Sequence, residues 1–599
     1  MGDKNDNGSI EGFGISFGKR EVAGTHPRPT VEEPEVDERA PFRIVAFCEL
    51  AARDDFAAGS RPRPDPVRID ATTFDLVMVT LGPALVVEVS DPFVPSAPPL
   101  AIELRWDDRK ALRPDVLLER NPVLAALVEA RRTVQDVHAG KLGVAEGRGE
   151  LTRLLPRSSW ASGLVGEIHA PAPLKASPPA TGLDALFDMV DLTADLAETP
   201  APARRASPLL AAVLGQEKQP PVVGTSPQRL DAALARIVSE VYAHPEVRRL
   251  ERAWRGLRLL VEHCDTKAGV EVDVVAVGPD GVADALKRLL EEPSGRSPID
   301  LIVVDTEVEP TAVDLGRLEM WGGLAEGLWA PVLVSGSPRL CGAASLSELG
   351  RSSRAWSTSR EPEVIAVRSL ASREASRWVG VVLNSALVRA AYTPETSRLR
   401  GLGFTEASGV KVGAAWVVAA LAARSFARSG WPTSLVGAQH GVLGGLAVEE
   451  RSLAGETVAL ALEATANDDA VREVGRAGFM MLTCAPNRDE AVLLRAPVLF
   501  RGASLASGAD TGASSTLADQ LFVGRLARAI LQVAGAIPAG TAPEAAAEVA
   551  HITLAALFPK ATGPELRVQV VRDALQVVVR PRRFGGVSLD EVTLGAPLG

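Results

Sequence analysis

The chain has 599 residues, which suggests about four domains at roughly 150 residues each, and 46% of it is hydrophobic, ample for real cores. Charged residues make up 23% and the net charge is −11, which argues against nucleic acid, whose binding rests on clustered Lys and Arg. The opening Met-Gly-Asp-Lys-Asn-Asp lacks the apolar core of a secretory signal, and Asp6 stands where a myristoylation signal needs Ser or Thr. The longest apolar run, Val412 to Ala423, is too short to span a bilayer and ends at Arg424. Cys48, Cys264, Cys341 and Cys484 form no CxxC pair, so reduced thiols in a cytoplasmic protein are expected, with no zinc or other metal site.

Residues 1–40 are polar, acidic near Glu32–Glu38, and read as a flexible arm. Within it lies "GFGISFGKREV", Gly12 to Val22. Gly14 to Gly18 matches G-x-S-x-G, but a nucleophile elbow needs a strand before it, a helix after it, and an acid and His downstream. A phosphate loop fails too, with Phe13 at the first Gly position and Arg20 at the Ser/Thr position. Two readings stay open: chance alternation in a tail, or a strand with Phe13, Ile15 and Phe17 on one side. Such a strand, left free, would expose an unpaired edge. Burying each of those side chains contributes about 1.5–3 kcal/mol and each ladder hydrogen bond about 0.5–1.5 kcal/mol net. That suffices to dock the arm on a neighbour by β-augmentation.

From residue 41 the texture changes. "PFRIVAFCEL" reads as a buried strand and "TTFDLVMVTLGPAL" as a helix with Thr73 as its cap. "PLAIELRW" alternates as a strand, and "RPDVLLERNPVLAALVEARRTVQDVHAG" reads as two helices with Pro122 in the first turn of the second. Residues 161–225 form a Pro/Ala linker. It carries a short amphipathic helix with Leu183, Leu186, Phe187 and Val190 on one face, and a second candidate at Ser207–Gly215. Each either docks on its own domain or offers a partner a peptide to grip. From His244, Val247, Leu250, Trp254, Leu257 and Val261 make one apolar helix face, with Arg and Glu opposite. Gly256 on that helix either permits close packing or only weakens it. Strand, helix, strand, helix, strand follows from "GVEVDVVAVG" to "APVLVSGSP", which predicts α/β layering around a sheet buried on both faces. "ELRVQVV", "ALQVVVRP" and "GVSLDEVTL" predict a small antiparallel sheet at the end. The Gly-rich "GAQHGVLGG" reads as a loop between strands, His263-Cys264 and Trp254 and Trp378 as structural, and no catalytic or cofactor-binding residue is assigned.

These segments resemble the contractile sheath of the bacterial type VI secretion system, with its small subunit (TssB) and large subunit (TssC) in one chain. "PFRIVAFCEL", "TTFDLVMVTLGPAL" and "LAIELRWDDRKALRPDVLLERNPVLAALVEARR" resemble the small subunit. "HPEVRRLERAWRGLRLLV" resembles the large subunit's opening helix, and "SRWVGVVLNSALVRAAYTPET", "AARSFARSGWP" and "REVGRAGFMMLTCAP" follow in the family's order. Thr306 stands where the family often has an aromatic, and "GVKVGAAWVV" from Gly409 replaces an aromatic-rich stretch.

The resemblance implies an α/β (α+β mix) fold, with layered sheets, flanking helices and terminal strands exchanged between subunits of a helical tube. The expected parts are an arm at 1–40, a TssB-like domain at 41–160, the linker at 161–225, and a TssC-like region at 226–599. The arm would pair with C-terminal strands of adjacent subunits at 566–579 and 587–594, through Val568, Val570, Val577, Val579, Val587 and Leu589. The resemblance further implies a homopolymer around an Hcp-like inner tube, contact with a baseplate, and contraction that drives effector delivery. It also implies recycling by an AAA+ ATPase (ClpV-like) that grips a helix near the start of the large subunit, for which Leu183, Leu186, Phe187 and Val190 are the first choice. The machine would reach the envelope only through its other parts. A non-contractile scaffold or baseplate part and a small-molecule enzyme are the alternatives.

Overall fold

The computed structural model describes residues 40–51, 65–155, 157, 159–160, 164, 226–291, 297–349, 356–399, 401–453, 455–502, 515–559, 562–582 and 584–598, and the backbone alone of 8–10 and 13–17. Both linker helices, Leu183–Leu192 and Ser207–Gly215, lie outside the described residues. The arm holds strands β1 (Gly8–Ile10) and β2 (Phe13–Phe17). The first body region runs β3 (Phe42–Cys48), β4 (Val67–Arg68), α1 (Phe74–Leu81), β5 (Ala84–Val89), β6 (Leu100–Arg105), α2 (Pro114–Arg120), α3 (Pro122–His138) and α4 (Val144–Leu154). The second opens with α5 (Ser226–Ala243), α6 (Pro245–Glu262), β7 (Val270–Ala276), α7 (Val282–Glu291), β8 (Ile299–Val308), α8 (Ala312–Leu328) and β9 (Val332–Gly336). It continues through α9 (Pro362–Ala371), β10 (Val379–Leu383), β11 (Ala386–Arg389), β12 (Val410–Val412), α10 (Ala414–Ser429), α11 (Gly437–His440), β13 (Val442–Leu443), β14 (Glu449–Leu453), β15 (Glu456–Leu460), α12 (Asp468–Ala477), β16 (Met480–Thr483) and β17 (Ala491–Leu493). The end is α13 (Leu517–Ala536), α14 (Pro543–Ala555), β18 (Glu565–Val571), β19 (Ala574–Arg580) and β20 (Val592–Pro597).

Among the described residues the main sheet has nine strands, ordered β13-β17-β16-β10-β9-β8-β3-β7-β4. The run from β16 to β7 is parallel. β3, from the first region, lies between β7 and β8 of the second: Ile44 pairs with Val272 on one side and Leu301 on the other. Its alternation splits it between two cores. Phe42, Ile44, Ala46 and Cys48 face one, and Val45 and Phe47 the other. A strand covered on both faces shows no polar alternation, which is why "PFRIVAFCEL" is apolar from Ile44 to Cys48; the one charge inside the strand, Arg43, is buried against Asp273 at 2.6 Å. Trp254 of α6 closes the end of β3 by donating its indole N–H to the Leu50 carbonyl at 3.2 Å.

The apolar run from Val412 becomes α10, buried on every side from Ala414 to Ala423. A helix apolar all round needs a core or a membrane, and here α6 and the main sheet supply the core. No described helix is long and apolar enough to cross a membrane.

Two segments of the main body depart from expectation. The helix in "TTFDLVMVTLGPAL" stops at Leu81, because Gly82 turns left-handed (φ 54°) with its N–H on the Met78 carbonyl, and β5 begins at Ala84. Thr73 does not cap that helix; its hydroxyl accepts the Asp70 N–H at 2.9 Å. "GAQHGVLGG" forms the helical turn α11 and the edge strand β13 rather than a plain loop.

Candidate functional site

The C-terminal sheet is antiparallel, ordered β1-β2-β20-β19-β18. β18 and β19 form a tight hairpin in which Val571 pairs with Ala574, and both turn residues, Arg572 and Asp573, have positive φ (49° and 60°), the sense a two-residue hairpin loop requires. α13 and α14 cover one face. Under them Trp431 stacks on Phe558 at 4.9 Å and 7°, with Phe522 and Phe584 against the pair. Val577 and Val579 are buried in this core, and Val568 and Val570 are half-buried against it. These four therefore pack on their own subunit, and an incoming strand would meet backbone edges.

Val587 and Leu589 are not in a strand. Phe584–Gly586 forms a 3₁₀ turn with Gly585 and Gly586 at positive φ, and the pairing starts only at Val592. The reason is Asp519 on α13. It takes the Ser588 N–H at 2.7 Å and the Ser588 hydroxyl at 2.6 Å, satisfying that stretch without a ladder. Arg582 pairs with Glu565 on β18 at 2.6 Å, so this charge is used within the chain.

In the single chain, β2 adds to the outer edge of β20. Ile15 pairs with Leu594, Ser16 with Thr593 and Phe17 with Val592, and β1 folds back on β2. The sheet's other margin is β18.

Two polar sites, one buried and one half-buried, support the body. Glu251, on the face of α6 read from sequence as simply polar, is 1% exposed. Arg389 of β11 clamps it through Nε at 2.8 Å and Nη2 at 3.1 Å, and Arg255 adds 2.7 Å. The same Arg389 binds Glu406 at 2.6 and 3.0 Å and stacks on the Tyr392 ring at 4.0 Å. Burial alone would raise the Glu251 carboxyl; Arg255 and Arg389 outweigh it and hold it below its ordinary range. The i,i+4 spacing of Glu251 and Arg255 was the signal available in the sequence. At the second site, the Trp416 indole of α10 donates to Asp305 Oδ1 at 2.9 Å. Burial pushes that carboxyl up, against the pull of Arg252 and the Trp416 bond. His263 ends α6 with Nδ1 on the Leu259 carbonyl at 2.8 Å, and burial pushes the neighbouring Cys264 thiol up to about 12.

Residues 28–169 match the family described as "Type VI secretion system, VipA, VC_A0107 or Hcp2". Residues 226–499 match VipB, "EvpB/VC_A0108, tail sheath N-terminal domain". The chain is a fusion of two type VI secretion sheath domains, VipA-type then VipB-type. The chain is similar to the type VI secretion system sheath protein TssC1 of Pseudomonas aeruginosa, 26% identical over 319 residues. That match spans 49% of this chain and 64% of the relative, less than two thirds of its length. A cryo-EM structure of the anti-feeding prophage baseplate aligns over 58% of this chain and 77% of that chain, at 11% identity and a TM-score of 0.31, too low to carry an argument. As a sheath subunit the fusion falls in a structural family, not a known enzyme class. Its VipA-type part gives the main sheet β3, and its VipB-type part gives the strands on either side.

Proposed function

We propose that the fusion polymerises head-to-tail into a helical tube around an Hcp-like inner tube, and that contraction of the tube drives the inner tube outward. A heterologous contact that does not close makes a filament. The observation that carries this reading is the arm. Residues 18–41 separate β2 from β3 and at full extension reach about 80 Å, at ~3.3 Å per residue. The edge of β20 can therefore be filled by a subunit's own arm or by a neighbour's, with the same ladder bonds either way. Each subunit would give one arm and receive one. Contraction is then a rigid-body rearrangement in which arms keep neighbours joined. A baseplate would hold one end of the tube, in the cytoplasm.

The test is a cysteine pair at Ser16 and Thr593, which face each other in register. Oxidised tubes should run as a ladder of multimers on a non-reducing gel, and tubes should be lost when residues 1–25 are removed. A single internally linked band from intact tubes, or tubes that survive the truncation, would sink strand exchange.

Recycling by a ClpV-like AAA+ ATPase belongs to the same proposal, with Leu183, Leu186, Phe187 and Val190 as the gripped face and Ser207–Gly215 as the second choice. The motivation is their apolar spacing inside a Pro/Ala linker. The double variant Leu186→Asp, Phe187→Asp should lose capture by such an ATPase in a pull-down. Capture equal to wild type would move the grip elsewhere.

A further inference from the structure

We propose that Arg525 couples the root of the N-terminal arm to the same subunit's C-terminal sheet, so that a pull on the arm reaches β20 without crossing the main sheet. The inference rests on the strand-exchange reading and adds a residue and a path to it. Arg525 lies on α13. Its Nη2 donates to the Ala40 carbonyl at 2.8 Å, and its Nη1 donates to the Pro41 carbonyl at 3.2 Å and to Asp300 Oδ1 at 2.8 Å. The guanidinium sits 4.9 Å from the Phe426 ring centre and 5.9 Å from that of Trp431, so its plane is held by aromatic neighbours as well. Ala40 and Pro41 are where the arm enters β3. From Arg525 the path runs along α13 to Asp519, across the two Ser588 bonds, and on to β20. β20 is the strand that receives an arm tip. In an exchanged lattice each subunit would pass tension from the arm it gives to the arm it holds.

Arg528, one turn on, is a built-in control. It pairs with the same Asp300, but its other bonds go to the Ile299 and Trp329 carbonyls, both within the body. If these arginines served only to neutralise Asp300, neither would need the carbonyls of the arm root.

The test compares Arg525→Lys with Arg528→Lys, both of which keep the positive charge beside Asp300. The Phe42 amide, bonded to the Gly269 carbonyl at 2.9 Å, should exchange about 10- to 100-fold faster in R525K, the loss expected when bonds from a charged donor go, and near wild-type rate in R528K. In electron micrographs, single R525K tubes should hold extended and contracted stretches side by side, while wild-type and R528K tubes are uniform. Uniform R525K tubes, or mixed tubes in both variants, would overturn the coupling while leaving the sheath reading intact. A wild-type chain that forms no tubes would overturn the sheath reading and this proposal with it.

Discussion

Replacing Arg389 with methionine is expected to cost about 3–5 kcal/mol of stability at neutral pH, the usual effect of leaving buried charge without its partner. Glu251 and Glu406 are 1% and 7% exposed, and Arg389 is bidentate to both. Arg255 and Arg248 remain, but each reaches only one carboxylate. The effect should depend on pH with a definite sign. In the wild type the Glu251 carboxyl is held below its ordinary value, so its contribution is complete above that value, about 4.3 for an unfolded Glu, and is lost as pH falls through the lower folded one. In R389M the buried Glu251 carboxylate is costly while charged and cheap once protonated. The deficit against wild type should therefore shrink from pH 7 to pH 4. Urea unfolding at the two pH values measures it. An equal deficit at both would mean that lost packing on Tyr392, not charge, explains the change.

Gly256→Ala is expected to destabilise by about 1–5 kcal/mol, although Ala for Gly inside a helix ordinarily gains about 1 kcal/mol. A Cβ built at Gly256 meets Trp416 Nε1 at 2.4 Å and Cε2 at 2.7 Å, in a fully buried interface between α6 and α10. The indole must move, which costs about 1–3 kcal/mol in a packed core. Its bond to Asp305 breaks, and leaving that half-buried carboxyl unsatisfied costs about 1–3 kcal/mol more. The double variant G256A/W416F should cost less than the two single variants added together, because both act on one contact. A rise in the thermal midpoint of G256A would show that the helices separate easily there, and that Gly256 is not needed for their approach.

Much of the local structure was legible. β3 could be read because its seven consecutive buried residues are apolar at every position but Arg43. α6 could be read from Pro245 in its first turn and from five apolar residues at helical spacing, all of which are buried. The β18–β19 hairpin could be read from alternation. The misses have a common cause. β5 hid behind α1 because the same apolar run serves both, and only the left-handed Gly82 divides them. Val587 and Leu589 alternate like a strand, yet Asp519, some seventy positions earlier in the chain, takes the bonds of that stretch. The far face of α6 looks solvent-facing until Arg389 and Glu406 arrive to bury Glu251.

The sequence by itself determined most of the strands and helices, and which family of sheath proteins the two halves resemble. Those features are set by side-chain periodicity and by local turns, which act within a few residues. Only the tertiary structure decided that a VipA-type strand would lie between two VipB-type strands, and that Arg525 would hold the point where the arm leaves the body. Any strand edge offers the same row of N–H and C=O groups. The choice of partner therefore falls to packing on both faces and to buried ion pairs between residues more than two hundred positions apart, for which no local pattern exists.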